Sequence, residues 1–411
     1  MWEKILDTFL RRLVTRGQLT IKWPDGRSST YGTEAEPAAA VTLKDASIVR
    51  DLCRDPELAV GEGYVDERLV IDEGTLRDLL MIGVVNQREQ VYPFLADMVY
   101  KARFSMRRMA QANRVGKAKA NVAHHYDLSD DLYELFLDSD KQYSCAYWSR
   151  PGMTLEEAQL AKKRHIADKL FIEPGQHVLD IGCGWGGMAL TLAQEYGARV
   201  TGVTLSEHQH AIATKRAADL GLSDKVTFRL QDYRHLDETF DRIVSVGMLE
   251  HVGAPNYGEY FDAVRDLMAD DGIALIHTIG HKGPPNVTNS WIDKYIFPGA
   301  YAPSAGELMK SVDKTGLFLA DMESLRLHYS YTLDAWRDRF EANIDRVREI
   351  YDDRFCRMWR FYLESMSVSF MYGVLLVYQL QLSKTLGRVP ITRDYLYGTE
   401  RNDQFRQQSA G

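Results

Sequence analysis

The stretch VLDIGCGWGG, residues 178–187, passes from an apolar run into a cluster of glycines. That passage reads as a strand feeding a tight turn and then a helix, as in doubly wound α/β folds. Two spacings overlap in it. Gly182, Gly184 and Gly187 fit G-x-G-x-x-G, a dinucleotide turn, whereas Asp180, Gly182, Gly184 and Gly186 fit D-x-G-x-G-x-G, a turn for S-adenosylmethionine. Charge separates the two. A carboxylate at the strand end repels a pyrophosphate and attracts an amino group and a sulfonium. Glu207, the acid that a dinucleotide ribose would need, follows the polar Thr204 and Ser206 and so falls past the end of the next strand. The turn is therefore read as one for S-adenosylmethionine.

Working outward, helices and strands alternate. The segment 154–170 is a helix opened by Thr154 with Glu157 three residues on, a capping box. HVLDI (177–181) is a strand, GMALTLAQEY (187–196) a helix, ARVTGVTLS (198–206) a strand and HQHAIATKRAADLG (208–221) a helix. VTFRLQDY (226–233), FDRIVSVGMLEHV (240–252) and GIALIHTIG (272–280) follow as strands. This is an α/β pattern, a doubly wound Rossmann-like parallel sheet whose ligand site lies beyond the strand carboxyl ends. A proline-rich insertion follows at 280–304, carrying Trp291, Tyr295, Phe297 and Tyr301. Loops of that length are usually functional. Residues 332–386 read as helix with many aromatics, closed by Gly387 and Pro390.

Upstream, residues 1 to about 100 read as a small α+β domain. Trp2, Ile5, Leu6, Phe9, Leu10 and Leu13 share one helical face, and a hairpin turns at Pro24-Asp25-Gly26. Between the small domain and the α/β region, residues 101–126 hold Lys101, Arg103, Arg107, Arg108, Arg114, Lys117 and Lys119 without one acid. They form a basic connector, and the domain with the chemistry is 127–411. His124 and His125 lack a third ligand nearby, so no metal is expected.

Bulk properties narrow the field. The 411 residues exceed one ordinary domain, and a net charge of −8 argues against a general nucleic-acid binder. The four cysteines share no C-x-x-C spacing, which suits a reducing, cytoplasmic setting. No run approaches the roughly 18 apolar residues of a membrane span. Contact with a membrane surface remains compatible with all of this.

YSCAYW (143–148), LDIGCGWGG, VTGVTLSEHQ, RLQDYR, MLEHVG and HTIG, in this order, resemble the cyclopropane fatty acid synthases. The likeness runs from about residue 115 to the end of the chain, and the small N-terminal domain is similar to that of the phospholipid-acting members. The resemblance implies a class I S-adenosylmethionine-dependent methyltransferase domain with an inserted acyl-chain-binding loop and a helical substrate region. It implies transfer of a methylene to the cis double bond of a phospholipid acyl chain, at the inner face of the membrane as a peripheral protein, and a homodimer is compatible with it. Its cofactor contacts fall on Tyr143, Ser144, Gly182, Gly184, Gly186, Thr204, Ser206, Gln209, Asp232 and Tyr233, beside Asp180. Its catalytic set holds a bicarbonate ion as general base and falls on Cys145, Glu250, His277, the backbone of Ile279, and Tyr329. Some members carry a cysteine where this chain has Met366, whose thioether cannot act as a nucleophile.

Each residue also has a plainer reading. Cys145 alone reads as a small buried apolar residue, His277 as a satisfied core histidine, and Tyr329 as packing, with Tyr331 its rival. The stripe Trp336, Phe340, Phe355, Trp359, Tyr362 and Phe370 reads as core before tunnel. A methyl-branched or methylene product on the same fold, a small-molecule methyltransferase, and a lipid binder without catalysis are the other functions considered.

Overall fold

The computed structural model describes residues 1–33, 35–87, 93–111 and 129–397, without the side chains of 108–110. The sequence-predicted connector residues Arg114, Lys117 and Lys119, and the pair His124 and His125, lie outside the described residues.

The N-terminal region opens with α1 (Trp2–Leu13) and a hairpin of β1 (Gln18–Lys22) and β2 (Ser28–Tyr31). Then come β3 (Ala38–Leu43), α2 (Ala46–Arg54), α3 (Pro56–Val65), β4 (Leu69–Glu73) and α4 (Leu76–Asn86). The sheet order is β2-β1-β3-β4, with β1 and β3 parallel. The alternation expected around Pro24-Asp25-Gly26 is present: Trp23 and Arg27 close the turn, and Leu19 and Ile21 point into a core with Leu6, Leu10 and Val41. After α5 (Phe94–Ala110) come α6 (Asp130–Phe136) and α7 (Leu155–Leu170), the latter with the reciprocal Thr154–Glu157 capping box.

A second sheet has the order β10-β11-β9-β8-β5-β6-β7. Its parallel part is β5 (His177–Ile181), β6 (Arg199–Thr204), β7 (Val226–Leu230), β8 (Phe240–Val246) and β9 (Met268–His281). The crossovers include α8 (Gly187–Glu195), α9 (Glu207–Asp219) and α10 (Tyr257–Leu267). All five strands expected from the sequence are there, although β8 stops at Val246 and Glu250 lies in the short 3-10 turn Leu249–His251.

The far end of the chain corrects the sequence reading. After α11 (Ser290–Tyr295) and α12 (Ala305–Val312) comes β10 (Phe318–Ser324), which the sequence analysis missed. α13 (His328–Ala342), α14 (Ile344–Ile350) and α15 (Asp353–Met371) form a helical layer, but the helix expected to continue to 386 ends at Met371. Gly373, at φ 69°, breaks it, and Leu375–Ser383 is β11, antiparallel to β9 and β10. The residues LLVYQLQLS are apolar enough to pass for a buried helix segment. Pairing with β9, distant in sequence, decides for strand.

The two regions are packed together through α15, which lies against α3 and α4, and through the insertion. Trp291 is buried and meets Phe361 with ring centroids 4.6 Å apart. A Cβ on Gly61 of α3 would stand 2.4 Å from the Trp291 indole, so only glycine lets the helix approach this close. Arg77 of α4 donates to Asp334 at 2.8 Å and to Glu364 at 3.1 Å across the same seam. The substitution Gly61→Val drives a branched side chain into a fixed ring. It should lower stability by about 1–3 kcal/mol, read as a lower calorimetric melting temperature, whereas the same change at Gly83, where an added Cβ meets nothing within 4 Å, should cost less.

Candidate active site

The glycine turn lies at the carboxyl end of β5. Gly182, Gly184 and Gly186 have φ of 79°, 54° and 85°, a region that only glycine enters freely. An added Cβ at Gly186 would lie 2.6 Å from the Phe228 ring, whereas at Gly184 it would meet no protein atom within 4 Å. Gly184 is thus kept small by its backbone conformation, with open space in front. Asp180 is buried, and its Oδ2 has no hydrogen-bond partner. Burial pushes its pKa up to about 7. A cationic group placed against that oxygen would restore the ionised form.

The remaining expected cofactor residues follow along the strand ends. Thr204 ends β6 and donates to Gln209 Oε1 at 3.1 Å, while the Ser206 hydroxyl caps α9 through the Gln209 N–H. Glu207 begins α9, past the strand as expected. Asp232 differs from its simple reading. Arg234 grips both of its oxygens, at 2.9 and 2.7 Å, and holds the carboxyl below its ordinary pKa against the upward pull of burial. Tyr233 packs edge-on against Tyr260.

Tyr143 and Ser144 come from the segment before α7, and α7 shapes that segment with buried polar groups that the sequence reading did not single out. Gln159 Nε2 donates to the carbonyls of Gln142 and Ser144 at 3.1 and 3.0 Å. Lys162, fully buried, donates to Gln142 Oε1 and the Ser144 hydroxyl, both at 2.7 Å. Burial lowers the pKa of this ammonium to about 8. Tyr143 stacks on Trp336 and shares a 2.9 Å hydrogen bond with Tyr362.

A cavity of about 830 Å³ reaches Tyr143, Ser144 and Gly247 and brings together Cys145, Glu250, His277, Ile279 and Tyr329. Tyr331, the rival of Tyr329, is exposed, and Tyr329 is buried. Glu250 Oε1 accepts the Ile279 N–H at 2.5 Å, so the backbone group expected on a bound anion is engaged by the glutamate instead; Glu250 Oε2 is buried and has no partner. Desolvation lifts this carboxyl to about 7. His277 is kept neutral by burial and by Lys162 and Lys169, and its Nδ1 faces Gln379 Nε2 at 3.1 Å. Burial also raises the Cys145 pKa, so it presents a thiol and not a thiolate. The grouping is one carboxyl with an unmatched oxygen among an imidazole, a phenol and a thiol, a set able to donate to an anion and to accept from its hydroxyl.

The other end of the cavity is the interior of the N-terminal region, including Leu6, Leu10, Leu19, Val41, Leu43 and Leu52. Met366 lines it as well. Trp336, Phe340, Trp359, Tyr362 and Phe370 are buried core, as the plainer reading had it.

Residues 113–380 match the family model described as mycolic acid cyclopropane synthetase. The chain belongs to this family. Residues 5–92 match a domain family of unknown function. The chain is 37% identical over 348 residues to the cyclopropane-fatty-acyl-phospholipid synthase of Escherichia coli K12, covering 84% of this chain and 88% of that protein. It is 33% identical over 391 residues to a tuberculostearic acid methyltransferase of Mycobacterium tuberculosis, covering 92% and 90%. A mycolic acid cyclopropane synthase solved with SAH and CTAB superposes with a TM-score of 0.61 at 34% identity, over 64% of this chain and 97% of that one. The catalytic region thus has the class I methyltransferase fold.

Ionising Glu250 costs the folded protein, because its pKa is raised from the ordinary glutamate value to about 7. The penalty is absent below the unfolded-state pKa, builds as pH rises from that value to about 7, and is fully present above 7. Glu250→Gln should therefore melt higher than the parent at pH 8, by an amount on the order of 2 kcal/mol. The two should converge near pH 4. Calorimetry in the two buffers checks this, and an equal gap at both would assign the effect to packing.

Proposed function

We propose that this protein transfers a methylene from S-adenosylmethionine to the cis double bond of an unsaturated phospholipid acyl chain and closes a cyclopropane ring. The observation that carries this reading is the continuous cavity, apolar at the N-terminal end and ending on Cys145, Glu250, His277 and Tyr329. Its volume is in the range of ligand pockets. A long apolar chain can lie along the leucines with an interior bond at the polar end. Residues 1–100 then serve as an acyl-holding domain, and 127–411 as the catalytic one.

The orphaned Asp180 oxygen and the open space before Gly184 suit a cationic nucleoside, and the orphaned Glu250 oxygen among donors suits a small protonated anion. S-adenosylmethionine would supply the electrophilic methyl, and bicarbonate the base. Tyr143, Ser144, Thr204, Ser206, Gln209, Asp232 and Tyr233 with the three glycines hold the former. Cys145, His277 and Tyr329 donate to the latter, Glu250 accepts its hydroxyl, and Ile279 N–H fixes Glu250.

The double bond takes up the methyl as the carbon–sulfur bond breaks. The cation left on the acyl chain then loses a proton of the new methyl as the third ring bond closes. The aromatic rings of Tyr143 and Tyr329 on the cavity wall tolerate that cation, and the apolar walls exclude the water that would quench it. The tuberculostearic acid methyltransferase relative favours a second outcome, in which the same cation ends as a methyl branch by taking a hydride from a separate nicotinamide-type donor, or as a methylene group by losing a different proton.

Expression in a host without cyclopropane lipids, followed by mass spectrometry of its fatty acids, separates these outcomes. A product one methylene heavier than its unsaturated parent, resistant to mild hydrogenation and opened by acid, is expected. A saturated product heavier by two further hydrogens would replace the ring by a methyl branch. Glu250→Gln should lower the rate by roughly 100-fold, the scale of a general-base defect, and removing bicarbonate should slow the parent in the same way.

The double bond lies within a bilayer, so the surface must be met first. Among the described residues no helix is long and apolar enough to cross a membrane. The helix α5 supports docking in a corrected form. Arg103, one of the basic connector residues, is turned inward and binds the Ser290 hydroxyl and the Thr288 carbonyl. Arg107 lies over the Phe104 ring. Phe94, Met98 and Met106 are instead each more than half exposed on α5, and the sequence after it is basic. Apolar insertion aided by basic residues is the mode this suits. Replacing Phe94, Leu95 and Met98 by Ser should abolish co-sedimentation with anionic vesicles; unchanged binding would place docking elsewhere.

A further inference from the structure

The helix α7 looks from its sequence like a solvated, charged helix, yet Lys162, His165 and Lys169 are all buried. Lys162 serves the cofactor segment. Lys169, at the other end of the helix, faces the sheet. Its ammonium donates to Gln379 Oε1 at 2.8 Å and also binds Glu323, which takes His165 Nε2 at 2.7 Å. Gln379 stands on β11 directly opposite His277 on β9 in the antiparallel ladder, and its Nε2 lies 3.1 Å from His277 Nδ1.

These contacts leave one assignment of protons. An ammonium has no lone pair, so the amide oxygen of Gln379 must be the atom facing Lys169. The amide NH2 then faces the ring and donates, and His277 Nδ1 must accept. A neutral imidazole whose Nδ1 accepts carries its proton on Nε2. His277 lines the cavity beside Glu250 and Tyr329.

We propose that Gln379, oriented by Lys169, is a positioning residue that locks His277 in its Nε2–H tautomer, so that the ring offers the anionic base a donor and never a lone pair. The catalytic half of this inference rests on the reading of the anion given above; the tautomer does not. With the other tautomer a nitrogen lone pair would face the anion's oxygens. An imidazolium would leave Gln379 Nε2 and Nδ1–H as two opposed donors. Besides Glu250, Tyr329 and Cys145 on the cavity side, the groups acting on the ring include Lys162, Lys169 and His165, which disfavour its protonation, and Glu323, which favours it.

A merely structural role is the competing explanation. Gln381, two residues on, donates to the Lys169 carbonyl at 2.5 Å, so this face of β11 certainly helps to seat α7. Loss of seating would lower stability without moving a proton between ring nitrogens. Nitrogen-15 NMR of the intact chain, labelled at histidine, distinguishes the two. The chain has 11 histidines, and His277 is assigned by its absence from the spectrum of His277→Asn.

The parent should show His277 as Nε2–H with Nδ1 unprotonated. Gln379→Glu exchanges the donor for an acceptor that still pairs with Lys169, and should move the proton onto Nδ1. Gln379→Leu, which removes the donor without adding an acceptor, should leave a mixture of tautomers. In both variants the half-saturating bicarbonate concentration should rise and the rate fall by roughly 10- to 100-fold, the scale seen for outer partners of ligating histidines. The KM for S-adenosylmethionine should be unchanged. A parent ring protonated on Nδ1, or a variant ring still wholly Nε2–H, would overturn the inference. Expected tautomers together with full parental activity in bicarbonate-free buffer would keep the proton assignment and overturn the anion reading instead.

Discussion

A single hydrogen bond from main chain to side chain, Ile279 N–H to Glu250 Oε1, sets the polarity of the whole site. Ile279 belongs to β9, at the centre of the sheet, and Glu250 to the turn that leaves β8. Satisfying one carboxylate oxygen from the sheet leaves the other to face the interior without a partner. A buried, half-satisfied carboxyl is costly to ionise, and that cost has a use where a proton must be taken up and passed on. The rest of the arrangement keeps this carboxyl dry and surrounds it with groups that donate.

Asp180 repeats the theme at the first strand of the parallel part. Both acids sit at carboxyl ends of neighbouring parallel strands, both carry an orphaned oxygen, and burial drives both toward 7. One is suited to a cation and the other to the hydroxyl of an anion. Their proximity is a consequence of strand order, because β5 and β8 are adjacent in the sheet while the two acids are 70 residues apart in the sequence. The helix α7 supplies the opposing charge from underneath. Of its three buried ammonium groups, Lys163 is paired with Asp140 and Lys169 with Glu323, whereas Lys162 meets only the neutral oxygens of Gln142 and Ser144. Lys162 and Lys169 keep His277 neutral while leaving a positive field near the place where an anion would sit.

Among its described residues, the N-terminal region lines the cavity mainly with apolar side chains, with Arg16 and Glu57 as its charged members. It contributes apolar walls and a rigid fit: Gly61 against Trp291, and Arg77 against Asp334 and Glu364. The insertion that carries Trp291 is thus both a wall of the cavity and one of the contacts, with α15, through which the two regions are packed together. A substitution in either partner would be felt in the shape of the acyl channel.

Local signals in the chain were enough for much of this. Asp180 with its glycines, the capping box at Thr154, the hairpin at Pro24-Asp25-Gly26 and the five parallel strands depend on neighbours within a few residues, and they stand as read. Cys145, Glu250 and His277 each lie in a short distinctive motif, and the fold lines one cavity with these three and Tyr329. Long-range pairing decided what the sequence could not. β11 is a strand because β9 and β10 offer it partners on both sides, although its apolar run also suits a helix. Lys162, His165 and Lys169 look like a solvent face until the sheet and the segment 142–144 cover them. Arg103 looks like a free charge until Thr288 and Ser290 are brought against it. In each case the deciding energy is desolvation, and whether a side chain is desolvated depends on residues far away in the chain.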